Sequence, residues 1–120
     1  MKKIILLGAF ALAPMIAMAA NVSPCTGAAG PGVAAITGDA TGTYFLRSNL
    51  TPQCSSNTIV TVDQSATALW GGSGSKKGKN AFLGSTNGGA VKPNAVCAAT
   101  GCSATEVDAA VLVAATISGS

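Results

Sequence analysis

Four cysteines, at positions 25, 54, 97 and 102, constrain this chain more than any other feature. Past residue 20 the aromatic residues are only Tyr44, Phe45, Trp70 and Phe82, and alanine, glycine, serine, threonine and valine supply most of the rest. A small domain with so thin a core usually needs covalent cross-links. Four cysteines allow three pairings. We expect Cys25–Cys54 and Cys97–Cys102. The second pair encloses AATG, where Gly101 can take the backbone angles of a tight turn. Each bridge stabilises by roughly 2–4 kcal/mol. A metal site is not expected, because the chain has no histidine and its cysteines lack the repeated short spacing of zinc knuckles. No cofactor is expected either.

Disulfides imply an oxidising compartment, and the N-terminus offers a route to one. MKKIILLGAFALAPMIAMAA has a positive start at Lys2 and Lys3, an uncharged apolar run from Ile4 to Ala20, and an A-x-A site at Ala17-Met18-Ala19. This is the layout of a bacterial secretory signal peptide. Residues 1–19 are expected to be removed, leaving 20–120 as one small domain in the periplasm, at the cell surface or outside the cell. An uncleaved membrane anchor fits less well, since the run is at the short limit for a span and Pro14 interrupts it. No later stretch is long enough to span a bilayer. Without the leader, Arg47, Lys76, Lys77, Lys79 and Lys92 face Asp39, Asp63, Glu106 and Asp108, a net charge of +1. So nearly neutral a chain has no large field to attract nucleic acid or anionic lipid, and no specific nucleic-acid partner is expected.

The expected fold is a small mainly-β or α+β domain, stapled by disulfides and built from several short antiparallel strands. NTIVTVDQ (57–64) is the clearest strand, with a β-branched run at its centre. TYFLRS (43–48) also reads as a strand, and VAAIT (33–37) as a short one. Pro52 excludes a central strand in the loop that follows. WGGSGSKKGKN (70–80) lacks apolar periodicity after Trp70, so 71–80 is expected to be a flexible loop. Asn87-Gly88 is a strong hairpin signal, with AFLGST and GAVK as its arms. In SATEVDAAVLVAATIS, Ser103 and Glu106 have capping-box spacing and alanine is frequent, which predicts a helix. Val107, Val111, Val113 and Ile117 also fall in an alternating pattern, so a central or donated strand is the alternative.

Without histidine, the commonest general base is missing and a Ser-His-Asp or Cys-His site cannot form within the chain. Asp39, Asp63 and Glu106 remain as candidate acids for a small hydrolase, but turn and capping roles explain them more simply. A Ser73 or Ser75 dyad with lysine would need a buried lysine, and lysines among glycines and serines are seldom buried. A phosphate-binding P-loop is excluded twice, because Asn80 follows Gly78-Lys79 and Ser73 stands five before Gly78. Lys76, Lys77 and Lys79 could still attract an anionic polysaccharide or other envelope ligand, with Trp70 stacking beside them. The leading expectation is a non-enzymatic structural subunit of a fibre, coat or matrix. It would self-associate through exposed edges or through the C-terminal segment, where Val107, Val111, Val113 and Ile117 are the candidate contacts. The alternative is a monomeric periplasmic or secreted module that binds an anionic envelope ligand at the lysine turn.

Overall fold

The computed structural model describes residues 21–117. The expected signal peptide, residues 1–19, lies outside them. Seven strands precede one helix: β1 Val22–Thr26, β2 Gly30–Pro31, β3 Gln53–Cys54, β4 Thr58–Gln64, β5 Leu69–Ser75, β6 Asn80–Ser85, β7 Lys92–Val96 and α1 Ala104–Ile117. Five strands form an antiparallel sheet in the order β1-β4-β5-β6-β7, and β2 pairs with β3 separately. The class is the expected one, mainly β with a C-terminal helix and both disulfides paired as the spacing suggested.

The β-branched run Thr58–Val62 takes its extended form in β4, next to the β1 edge. The capping box forms at α1. The Ser103 backbone N–H donates to Glu106 Oε2 at 2.7 Å, and the Glu106 N–H reaches back to Ser103 Oγ at 3.4 Å. This cap, together with the alanine content, favours the helix over the alternating strand. The helix packs on one face of the sheet, over β4, β5 and β6. Val107, Ala110, Val111 and Ala114 are its buried side. Trp70, Ala81 and Leu83 meet them from the sheet, and the Cys97–Cys102 bridge closes one end of this core.

Four expected elements differ. Residues 71–75 are strand, not loop, and only Lys76–Gly78 turn before β6 begins at Asn80. Their glycines are strand residues. A Cβ on Gly72 would lie 2.6 Å from the Val107 carbonyl oxygen and 3.1 Å from Ala110 Cβ, while one on Gly74 would lie 2.9 Å from Cys102 Cβ. Bare backbone at these points lets α1 settle directly on β5. Residues 43–48, by contrast, are bent rather than extended. Asp39 Oδ1 accepts the Gly42 and Thr43 N–H groups, and the Asp39 N–H donates to the Leu46 carbonyl, which folds this run back on itself. VAAIT contributes only the isolated Ile36–Leu50 bridge. The hairpin exists, but its second arm starts at Lys92, beyond Gly88 and Gly89, which both have positive φ. Pro93 is accommodated because β7 is an edge strand.

The irregular stretch 27–56 covers the other face of the sheet at its β1–β4 end. Cys54 bonds Cys25, Ile36 is buried, and Gln64 receives the Leu46 N–H while donating to the Thr37 carbonyl. Toward β6 and β7 this face is open.

Candidate functional site

Cross-strand register assigns each side chain to a face. Gly72 pairs with Thr61 and Leu83, and Trp70 with Asp63 and Ser85, so these residues look toward α1. Ser73 pairs with Val60 and Phe82, and Gly71 with Val62 and Gly84, so these look away from it. The predicted binding set is divided by this arrangement. Trp70 is only 3% exposed and belongs to the core, so it is not a surface stacking platform. Two rings do reach the surface: Phe45, 39% exposed in the bent stretch 43–48, and Phe82, 40% exposed on the sheet face opposite the helix.

The three lysines are also separated. The Lys76 N–H donates to the Asn57 carbonyl, and its aliphatic stem crosses Gly27, where a Cβ would collide with it. Lys76 lines a depression with Thr26, Thr100 and Ser103, on the side of the helix N-terminus. Lys77 is exposed at the tip of the turn, its N–H donating to Ser75 Oγ at 3.2 Å. Lys79 borders a different depression, about 380 Å³, with Thr58, Ser73, Ser75, Asn80 and Phe82. No carboxylate lines it.

The predicted assembly set is divided as well. Val107 and Val111 are 0% and 1% exposed and form the core against β5. Val113 and Ile117 are on the outer side at 40% and 50%, joined by Leu112 at 63%. The helical period accounts for this split, since residues two apart share a strand face but not a helix face.

Two of the carboxylates are occupied structurally. Burial alone would raise Asp39, but hydroxyl bonds from Thr43 and Thr41 and the Gly42 and Thr43 N–H groups outweigh it and lower its pKa. Glu106 is lowered chiefly by the Ser103 and Ala98 N–H groups. Asp63 differs from the expectation of a solvated turn residue. It is 6% exposed within β4, and desolvation raises its pKa against the single opposing Gln64 N–H bond at 2.8 Å. Asp63 lines a depression of about 240 Å³ beside β4 together with Val22, Ile36, Thr37, Tyr44, Val62 and Gln64. Among the described residues Asp63 Oδ1 bonds the Gln64 N–H rather than a second titratable group, and neither Asp39 nor Glu106 borders the depression that Asp63 lines.

Among the described residues no group of three or more His, Cys, Asp or Glu side chains is placed to hold a metal ion, and no helix is long and apolar enough to cross a membrane. Both cysteine pairs are oxidised. Comparison with protein-family models, with curated proteins and with solved structures finds no match.

Sequence reasoning missed Phe82 and Leu112. The signal for Phe82 was present in NAFLGS, where Ala81 and Leu83 alternate with it and leave it out of phase with the core. Leu112 follows from the helical wheel once α1 is accepted as a helix.

Proposed function

We propose that the chain is an exported, non-enzymatic structural subunit of a fibre, coat or matrix, and that copies associate through the outer side of α1. The observation that carries this reading is the composition of that side. Ala109, Leu112, Val113, Thr116 and Ile117 are exposed and none is charged. A surface helix normally turns a polar, charged face to water, and past Asp108 the outer side of α1 carries no charge. The two disulfides agree with an oxidising destination. Leu112 takes the place that Val107 and Val111 held in the sequence-based expectation. Burying a side chain of this size stabilises by roughly 1.5–3 kcal/mol.

Sedimentation of the purified exported protein over a wide concentration range tests the proposal. The wild type is expected to form large species, visible as filaments or sheets in the sheared cell-surface fraction. Leu112→Glu with Val113→Lys is expected to remain monomeric with unchanged Trp70 fluorescence. A wild type that stays monomeric at high concentration, with no assemblies on cells, overturns it.

A second reading is favoured by the Lys79 depression: a monomeric periplasmic or secreted module for an anionic envelope ligand. Hydroxyls, an amide, one ammonium and a half-exposed ring converge there without a carboxylate. Replacing Lys76, Lys77 and Lys79 with serine is expected to abolish retention on heparin. Unchanged retention removes this reading.

A further inference from the structure

The open face of the sheet has the form of a track rather than a pit. At one end Phe82 and Ser73 stand side by side across β5 and β6. The next pair on the same face is Gly71–Gly84, two residues without side chains. Val91 rises at the far side, 70% exposed, its Cγ2 3.3 Å from where a Gly84 Cβ would be. Thr58, Ser75 and Asn80 add hydroxyl and amide groups around the ring, and Lys79 stands at the rim. The track is shallow, mixed in polarity and positively biased.

We propose that this track binds an acidic polysaccharide, with one sugar ring stacked on Phe82 and its carboxylate paired with Lys79. The proposal rests on the second reading above and names its ligand class and the role of each contact. Phe82 serves where Trp70 was expected, and Lys79 rather than Lys76 meets the anion. Three features select this occupant. The C–H face of a pyranose is flat and apolar and packs on an aromatic face, while its edge hydroxyls need donors and acceptors around the ring. Ser73, Ser75, Thr58 and Asn80 supply both. An extended polymer needs a floor that does not block its path, and Gly71–Gly84 provides one. A carboxylated chain matches the lone ammonium at a rim that has no carboxylate, whereas a neutral chain leaves that ammonium without a counter-charge. A peptide strand is the poorer fit, because the Gly71–Gly84 floor offers no pocket for alternate side chains, from which such binding draws its specificity.

The test is affinity electrophoresis of the exported full-length product in gels containing polygalacturonate, neutral dextran or double-stranded DNA. Polygalacturonate is expected to retard the wild type and dextran is not. Phe82→Ala and Phe82→Leu are each expected to weaken retardation about tenfold, in line with aromatic stacking losses, and Phe82→Tyr to restore it. The Leu variant keeps apolar bulk without the ring, and Trp70 fluorescence reports whether each variant folds. Lys79→Ser is expected to weaken binding and flatten its salt dependence by about one ion, while Lys76→Ser leaves it close to wild type. If Phe82→Leu migrates as wild type while the triple lysine variant is free, the track is overturned and the general electrostatic reading survives. Retardation by DNA equal to that by polygalacturonate overturns the polysaccharide assignment. No retardation by any polyanion overturns both.

Discussion

Gly72 and Gly74 look toward α1, Gly71 and Ser73 look away from it, and these neighbouring residues of β5 are small for opposite reasons. On the helix side, small residues are a condition of contact. The Val107 carbonyl oxygen and Ala110 Cβ already fill the space a side chain would need. On the far side, small residues leave the surface bare, and only its β1–β4 half is covered, by stretch 27–56. One face is closed by a helix that continues the chain, the other is half covered by a bent segment tied down by a disulfide and by hydrogen bonds to Gln64 and to the Pro24 carbonyl. Low side-chain volume in a strand therefore marks tight packing on one face and an open surface on the other, and only register distinguishes them.

The largest effect is expected where the second cover is released. Cys25 and Cys54 close a loop with a sequence separation of 29, against 5 for Cys97 and Cys102. Chain-entropy arguments then give roughly 3.5 kcal/mol for the first bridge and about 2 kcal/mol for the second. Cys25→Ser with Cys54→Ser is expected to lower urea stability by about that larger amount, and to quicken amide exchange at Ile36 and Gln64 before the helix side. Equal loss of protection on both faces would mean that the two covers unfold as one unit.

Gly72→Ala comes next. The added carbon meets backbone, which cannot rotate away, so α1 must lift from β5. The expected cost is roughly 1–3 kcal/mol, the usual range for overpacking a filled interior. It is measured by denaturant midpoint, with the m-value checking that the unfolded state is unchanged. A neutral Gly72→Ala would show that the helix is not in close contact with the strand.

The legibility of the sequence follows the same division. Elements whose cause is local could be read directly. These are the β-branched run of β4, the Ser103–Glu106 cap, the short Cys97–Cys102 loop and the turn at Asn87–Gly88. Elements whose cause lies elsewhere in the chain could not. WGGSGS resembles a loop because its reason for being small is a helix thirty-odd residues later, and a glycine-rich strand carries no periodicity of its own. TYFLRS has strand composition but joins no strand ladder among the described residues, and the Asp39 turn decides its shape. For the candidate site, the lysines were visible but their separation was not. Trp70 adjoins the lysine turn in sequence, but β5 alternation sends it inward, away from the lysines.

Asp63 offers a pH-dependent view of the helix-side face. Its native pKa is raised by burial, so the folded chain holds that proton more tightly than the unfolded chain. Ionising it costs stability above the raised value, and the cost fades as pH falls toward the ordinary carboxylate range. Asp63→Asn is therefore expected to be more stable than wild type at neutral pH, with the difference shrinking on acidification. Glu106 has the opposite sign. Its native pKa is lowered, so its contribution is present above the ordinary glutamate value and lost as pH falls through the lowered one. Glu106→Gln is expected to be less stable than wild type at neutral pH and to converge with it in acid. Paired thermal melts from neutral to acidic pH separate the two. Parallel curves for Asp63→Asn and wild type would mean that Asp63 is solvated.

The smallest effect is expected on the open face, at Gly84→Ala. The added carbon would approach only Val91 Cγ2, at 3.3 Å. Val91 is 70% exposed and free to turn aside. Gly84 is flanked by extended residues of β6 and does not have positive φ, so alanine also restricts the unfolded chain at no conformational cost to the folded one. The two terms oppose, and the net change is expected to stay within roughly 0.5 kcal/mol. Set beside Gly72→Ala, the same one-carbon addition one pair away in the same hairpin then differs severalfold in cost. The difference measures how much of the sheet's small-residue content serves the packing of α1 and how much keeps the opposite surface clear. A Gly84→Ala cost as large as that of Gly72→Ala would place a second packed layer over β6, and the open track with its Phe82 platform would have to be given up.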